Sequence, residues 1–232
     1  MRNRLLYVAT LLALGLSAGP AVALPCAGFT DVEDTSSFCP NVEWLKNRAV
    51  TLGCSSATLY CPTDPVTRLS MAVFMNRLGK ALTPVSLHKV AVFTTPVLLT
   101  PTGDMFCVTD DLPPAAYPRA ARFIGTAWGH STDGGGSYLQ GVWKYSTDAG
   151  ANWDFVGTYP VTQFWGRART DYGGVATLPV IAPAMQLAAG PTYRFGLLLS
   201  GFTGTMTFNP MACEVDVTVT NSNPATSPFD AE

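Results

Sequence analysis

Glu214-Val215-Asp216-Val217-Thr218-Val219 decides the larger part of the fold. Acid or hydroxyl alternates with valine at every position, and successive side chains of a strand point to opposite faces. The stretch is therefore expected to be a β-strand with one face buried and one wet, as in an antiparallel sheet. Working outward, the same texture fills the second half of the chain. Short β-prone runs are broken by Gly, Pro, Asp and Asn: Val90–Leu99, Ala121–Trp128, Tyr138–Tyr145, Asp154–Thr158, Val161–Phe164, Gly174–Ile181, Tyr193–Leu199 and Thr205–Phe208. With no helical pattern between them, they predict an antiparallel sandwich or jelly roll over residues 84–220. The polar, proline-spotted stretch 221–232 is expected to be disordered.

Upstream the rhythm changes. Val42, Leu45 and Ala49 fall on one face at helical spacing, and Met71, Phe74, Met75, Leu78 and Leu82 repeat at i, i+3, i+4, i+7 and i+11. Thr67 stands where a helix N-cap belongs. A Gly- and Cys-containing turn, residues 53–62, separates the two. The expected fold class is thus α+β: a small disulfide-stapled helix–loop–helix module at 24–83, its second helix buried along the Met71–Leu82 stripe, followed by the β-sandwich.

The amino terminus carries export information. Arg2 and Arg4 precede an apolar run from Leu5 to Leu16, and Ala21-Val22-Ala23 supplies small residues at a cleavage site. A run of roughly a dozen residues is too short to cross a bilayer, so residues 1–23 read as a cleaved signal peptide and no transmembrane segment is expected. Losing Arg2 and Arg4 moves the formal net charge from −2 to −4. A mildly acidic chain offers no footprint for nucleic acid.

All six cysteines follow that point: Cys26, Cys39, Cys54, Cys61, Cys107 and Cys213. An even number in an exported chain reads as disulfides. Fifteen connectivities exist; locality suggests Cys26–Cys39 and Cys54–Cys61, leaving Cys107–Cys213. Metal ligation is disfavoured, because no Cys-x-x-Cys pair exists and only His88 and His130 add imidazoles. No cofactor is expected.

The first module resembles one S-layer homology motif of bacterial envelope proteins. The residues that carry the likeness are Phe29-Thr30-Asp31-Val32, then Trp44-Leu45, Gly53, Cys61-Pro62, and Val66-Thr67-Arg68 opening a helix that continues Met71-Ala72-Val73-Phe74-Met75. The resemblance covers about a quarter of the chain and stops at Leu82. It implies attachment to cell-wall polysaccharide or a peptidoglycan-linked polymer, with Arg68 meeting an anionic sugar and Thr67, Trp44 and Asp31 in the motif around it. A guanidinium fork matches a carboxylate well. This chain departs from the family pattern by Thr67-Arg68-Leu69-Ser70, which lacks the glutamate of a capping box, and by Ala49 in place of a glycine. It also has one motif where the family has three, which implies self-association, as a trimer, or a purely structural motif.

In the β-region, Ser131-Thr132-Asp133-Gly134-Gly135-Gly136-Ser137-Tyr138 and Ser146-Thr147-Asp148-Ala149-Gly150-Ala151-Asn152-Trp153 share a pattern resembling the Asp-box of secreted β-proteins, a turn-stabilising device. A spacing of 15 residues is too short for propeller blades, which need about 40. Trp128, Trp143, Trp153 and Trp165 offer either core or a stacking platform for sugars. Arg167 and Arg169, near Asp171 and Tyr172, form an expected polar patch. No Gly-x-Ser-x-Gly elbow is present. A triad has only His88 or His130 to draw on, and Asp110-Asp111 are adjacent in sequence, so as strand neighbours they point apart. The sequence therefore favours a non-catalytic exported or envelope protein of a bacterium. The competing reading is a secreted carbohydrate-active enzyme or carbohydrate-binding module.

Overall fold

A computed structural model describes residues 24–132, 137–157, 166–170, 175–202 and 204–221. Residues 1–23, expected to be a signal peptide, Asp133 with the glycines of the first Asp-box-like loop, the Val161–Phe164 run, Trp165, Asp171, Tyr172 and the stretch beyond residue 221 lie outside the described residues. Among the described residues, no helix is long and apolar enough to cross a membrane. The chain divides into two compact units. One ends at Lys46 and takes in Leu52–Asp64; the other comprises Asn47–Thr51 and the chain from Pro65 onward.

Unit one is a short hairpin and one helix. β1 (Pro25–Cys26) pairs antiparallel with β2 (Phe29–Glu33), and α1 follows at Cys39–Asn47. Its core is only Cys26, Phe29, Val32, Cys39 and Val42, too few residues to stabilise a fold of this size without staples. Cys26–Cys39 and Cys54–Cys61 supply them. Gly53 is required where it stands: its φ is +100°, and a Cβ there would come within 2.1 Å of the Ser56 carbonyl oxygen.

Unit two holds α2 (Arg68–Leu82), β3 (Val85–Phe93), β4 (Val97–Leu99), β5 (Asp104–Phe106), β6 (Arg119–Ser131), β7 (Ser137–Ser146), β8 (Asp154–Phe155), β9 (Gly166–Thr170), β10 (Val175–Leu187), β11 (Arg194–Gly201) and β12 (Met206–Thr220). Sheet one runs β10-β6-β12-β3, with β4 also on β12; sheet two runs β5-β11-β7-β8, with β9 also on β7. Every pairing is antiparallel. The inner faces meet in one core, where Phe123 of sheet one packs 5.2 Å from the Trp143 ring and 5.3 Å from Phe195 of sheet two. Cys107, just past β5, is bonded to Cys213 in β12, a link across 106 residues that ties the two sheets. The decisive alternation is realised in β12: Val215, Val217 and Val219 are fully buried, while Glu214, Asp216 and Thr218 face out.

The α+β helix–loop–helix expectation is overturned. Among the described residues strand dominates, and helix is confined to elements of 9 and 15 residues. The first module opens with a hairpin, and α2 belongs to the sandwich unit instead of pairing with α1. The cause lies in which face of α2 is used. Ala81 is buried and Phe74, Arg77 and Leu78 are half-buried, whereas Met71, Met75 and Leu82 from the apolar stripe are exposed. The spacing marked real amphipathicity, but among the described residues only the Phe74, Leu78 and Ala81 side of the helix is covered. Ala49, read as part of the α1 face, sits past the helix end with a φ of +54°.

Candidate polymer-binding site

The site is built in unit one, around Asp31. β2 delivers the carboxylate beneath the disulfide loop, where Oδ1 accepts the Tyr60 amide at 2.8 Å and Oδ2 accepts the Cys61 amide at 2.7 Å. The Tyr60 amide, supported by those of Cys61 and Asp31 itself, favours the ionised form and holds this carboxyl below the usual carboxylate range, against a smaller opposing desolvation. Thr30 N–H donates to the Thr58 carbonyl alongside it. Lys46 reaches from α1 to the Ala57 carbonyl at 3.1 Å and lies 3.7 Å over the Phe29 ring, which in turn packs 5.5 Å from Tyr60. Hairpin, helix and loop are thereby fixed to one another by the residues of the Phe-x-Asp-Val stretch.

Those contacts shape a cleft of about 620 Å³. Its floor is Val32 and Val42, its apolar walls are Phe38 and Tyr60, and its polar groups are Glu33, Ser36 and Asn41 beside Asp31. Phe38 is 70% exposed, unusual for a phenylalanine in a unit with so small a core. Flat aromatic surface next to hydrogen-bonding side chains suits a sugar ring, whose C–H faces are apolar and whose edges are hydroxyls. The two charged groups in the lining are carboxylates, and one of them is already engaged by two backbone amides.

The sequence-derived residues separate. Asp31 lines the cleft, and Trp44 is half-buried on α1 in the same unit without lining it. Thr67 and Arg68 belong to unit two. Thr67 is the N-cap of α2, its hydroxyl accepting the Ser70 amide at 3.0 Å and meeting Ser70 Oγ at 2.8 Å. That hydroxyl–hydroxyl contact leaves the reciprocal bond of a capping box, from the residue at 70 to the Thr67 amide, unmade by Ser70. Arg68 is the first, exposed residue of the helix. Phe38 and Tyr60 escaped the sequence reading; the signal available for them was an aromatic residue beside each of two cysteines, Cys39 and Cys61.

In the sandwich, the second Asp-box-like loop is a closed turn. Asp148 Oδ1 accepts from Ser146 Oγ at 2.7 Å and from the Asn152 amide at 2.9 Å, and Oδ2 accepts from Asn152 Nδ2 at 2.6 Å. Ala149 and Gly150 take positive φ to close it. The Asn152 amide above all, then its side chain and Ser146, depress the Asp148 carboxyl to about 2. The tryptophans divide: Trp143 is core, Trp128 is on the outer face of sheet one, and Trp153 is half-buried beside the turn. Arg167 and Arg169 lie on β9. His88 Nε2 lies 2.9 Å from Glu214 Oε1, and Ser86 Oγ donates to Asp216 at 2.9 Å on the same face. Asp111 holds Arg194 at 2.8 Å, and Asp110 stands 4.0 Å from Lys89.

No family model matches the chain, and no curated protein matches it. Among solved structures it is similar to part of the infectious bursal disease virus Gt strain structure, at 10% identity over 61% of this chain and 37% of that one, with a TM-score of 0.32. It spans just over a third of that relative's length. A second likeness is to the cryo-EM structure of the giant freshwater prawn Macrobrachium rosenbergii extra small virus (XSV) VLP. There the identity is 10%, over 69% of this chain and 86% of that one, and the TM-score is 0.20. Overlap this low transfers no function.

Proposed function

We propose that this is an exported, non-catalytic surface protein of a bacterial envelope. Its first unit holds wall polysaccharide, and its sandwich serves as the body for recognition or assembly. The observation that carries the reading is the cleft with Phe38 and Tyr60 as its aromatic walls, displayed by a unit whose own core cannot explain so exposed a phenylalanine. Three disulfides, with no cysteine left free, suit an oxidising compartment outside the cytoplasm.

The S-layer-homology resemblance supports the same class of partner, with a refinement. Because the cleft presents Asp31 and Glu33 and no cationic side chain, uncharged sugar units stack there, and any anionic substituent of the polymer falls to Arg68. The test is co-sedimentation of the mature protein with isolated cell wall, beside Phe38→Ala and Arg68→Ala. The wild type pellets, Phe38→Ala pellets several-fold less, and Arg68→Ala loses binding only to walls carrying acidic polymer. Failure of the wild type to pellet with any wall preparation overturns the proposal.

A further inference from the structure

The three disulfides differ in how solvent reaches them. Cys26, Cys39, Cys107 and Cys213 are all buried, none more than 9% exposed. Cys54 is exposed and Cys61 half-buried. Thiol–disulfide exchange needs a thiolate to reach a disulfide sulfur, so a buried bridge is shielded and an exposed one is open to attack.

The exposed bridge closes the loop that forms one wall of the cleft. Tyr60, an aromatic wall, immediately precedes Cys61. Cys61 itself sits at a φ of +56°, a left-handed conformation that costs any residue but glycine. Apart from the bridge, what ties the loop to β2 and α1 is a set of exposed hydrogen bonds. Asp31 accepts the Tyr60 and Cys61 amides, the Thr30 amide donates to the Thr58 carbonyl, and Lys46 donates to the Ala57 carbonyl. Such bonds exchange for water at little net cost. The core of unit one, by contrast, gathers round Cys26 and Cys39 and contains neither Cys54 nor Cys61. Opening the outer bridge frees the wall and leaves the hairpin and α1 standing.

We propose that Cys54–Cys61 is a redox latch on the cleft: a dithiol reductant opens it, the Tyr60 wall loosens, and bound polymer is released. The release step rests on the polymer-binding reading given above. One thiolate of the dithiol attacks Cys54 Sγ, the more exposed sulfur; the S–S bond breaks, and Cys61 leaves as a thiolate that takes a proton from water. The second thiolate of the dithiol attacks the mixed disulfide, Cys54 leaves in the same way, and the reductant departs as its own disulfide. Two electrons have passed from the dithiol to the protein sulfurs.

A bridge across 7 positions restricts the opened loop enough to shift its opening equilibrium roughly 50-fold. Linkage makes the effect reciprocal: whatever factor reduction takes from polymer affinity, bound polymer adds to the latch's resistance to reduction.

The test uses the whole mature chain. Treatment with dithiothreitol in native buffer, then iodoacetamide and peptide mass spectrometry, should label Cys54 and Cys61 and spare the other four cysteines. Amide exchange at Tyr60 and Cys61 should quicken by about tenfold or more. The Val42 amide, bonded to the Phe38 carbonyl in the first turn of α1, should keep its protection. Retention by isolated cell wall should fall several-fold and return on reoxidation, and Cys54→Ser with Cys61→Ser should match the reduced protein. Labelling of a buried pair first, unchanged exchange at Tyr60, or loss of Val42 protection along with it each overturns the latch. Equal retention of oxidised and reduced protein overturns it too, and leaves wall docking intact. An oxidised wild type that no wall retains overturns the docking reading and, with it, the latch as a release device.

Discussion

Trp143, in the middle of sheet two, donates its indole N–H to the Val180 carbonyl of sheet one at 2.8 Å. The bond crosses the sandwich core, so a polar group that burial would otherwise penalise joins the two layers. It also explains a glycine in mid-strand: a Cβ on Gly125 would lie 2.9 Å from the Trp143 ring. Replacing Trp143 by Phe removes the donor and leaves a gap, and should cost about 2–4 kcal/mol. Gly125→Val forces the ring aside and should cost at least as much. Urea unfolding monitored by near-UV circular dichroism reads both.

Removal of the Cys107–Cys213 link is expected to cost about 2–5 kcal/mol, because it closes a loop of 106 residues and joins the two sheets. The double Cys→Ser variant should lower the unfolding midpoint while keeping a sheet-type far-UV spectrum. An unchanged midpoint would show that the core alone sets stability.

Acid should loosen the loops before the sandwich core. Asp31 and Asp148 both have folded-state pKa values below the ordinary 3.8, Asp148 at about 2. Their contribution is complete above the unfolded value and is lost as pH falls through the folded one, for Asp148 between about 4 and 2. Asp148→Asn should flatten the acid limb of the stability profile in that window. Protection of the Tyr60 and Cys61 amides against exchange should fall as pH drops below the ordinary carboxylate range, and should be lost in Asp31→Asn at neutral pH.

Thr67→Ala should cost about 1 kcal/mol and fray the first turn of α2, since its hydroxyl satisfies the Ser70 amide. Ser70→Glu, in a chain that keeps Thr67, should instead firm the first turn by completing a capping box. Hydrogen exchange over residues 68–72 separates the two effects from any change in the sandwich.

Much of the sandwich was legible because alternation reports directly on which face a strand buries. Val215, Val217 and Val219 read correctly for that reason. Two runs, Thr205–Phe208 and Glu214–Val219, turned out to be one strand joined through a register shift between Phe208 and Met211, which no periodicity reveals. The short strands β5 and β9 carry too few residues to show a pattern. The disulfide pairing followed from proximity along the chain. The helical module misled because amphipathic spacing states that a helix has an apolar side without stating that the same chain covers it. The cleft was hidden for a different reason: Phe38 and Tyr60 are 22 positions apart in sequence and line one cleft because Asp31 and the two disulfides fold the loop back.

The most direct test maps amide shifts of the isotopically labelled mature protein as soluble oligosaccharides released from purified cell wall are titrated in. Binding at the cleft predicts saturable shifts centred on Glu33, Ser36, Phe38, Asn41 and Tyr60, abolished by Phe38→Ala. Shifts confined to the sandwich, or none at concentrations where the wall itself retains the protein, would contradict the assignment of polymer binding to unit one.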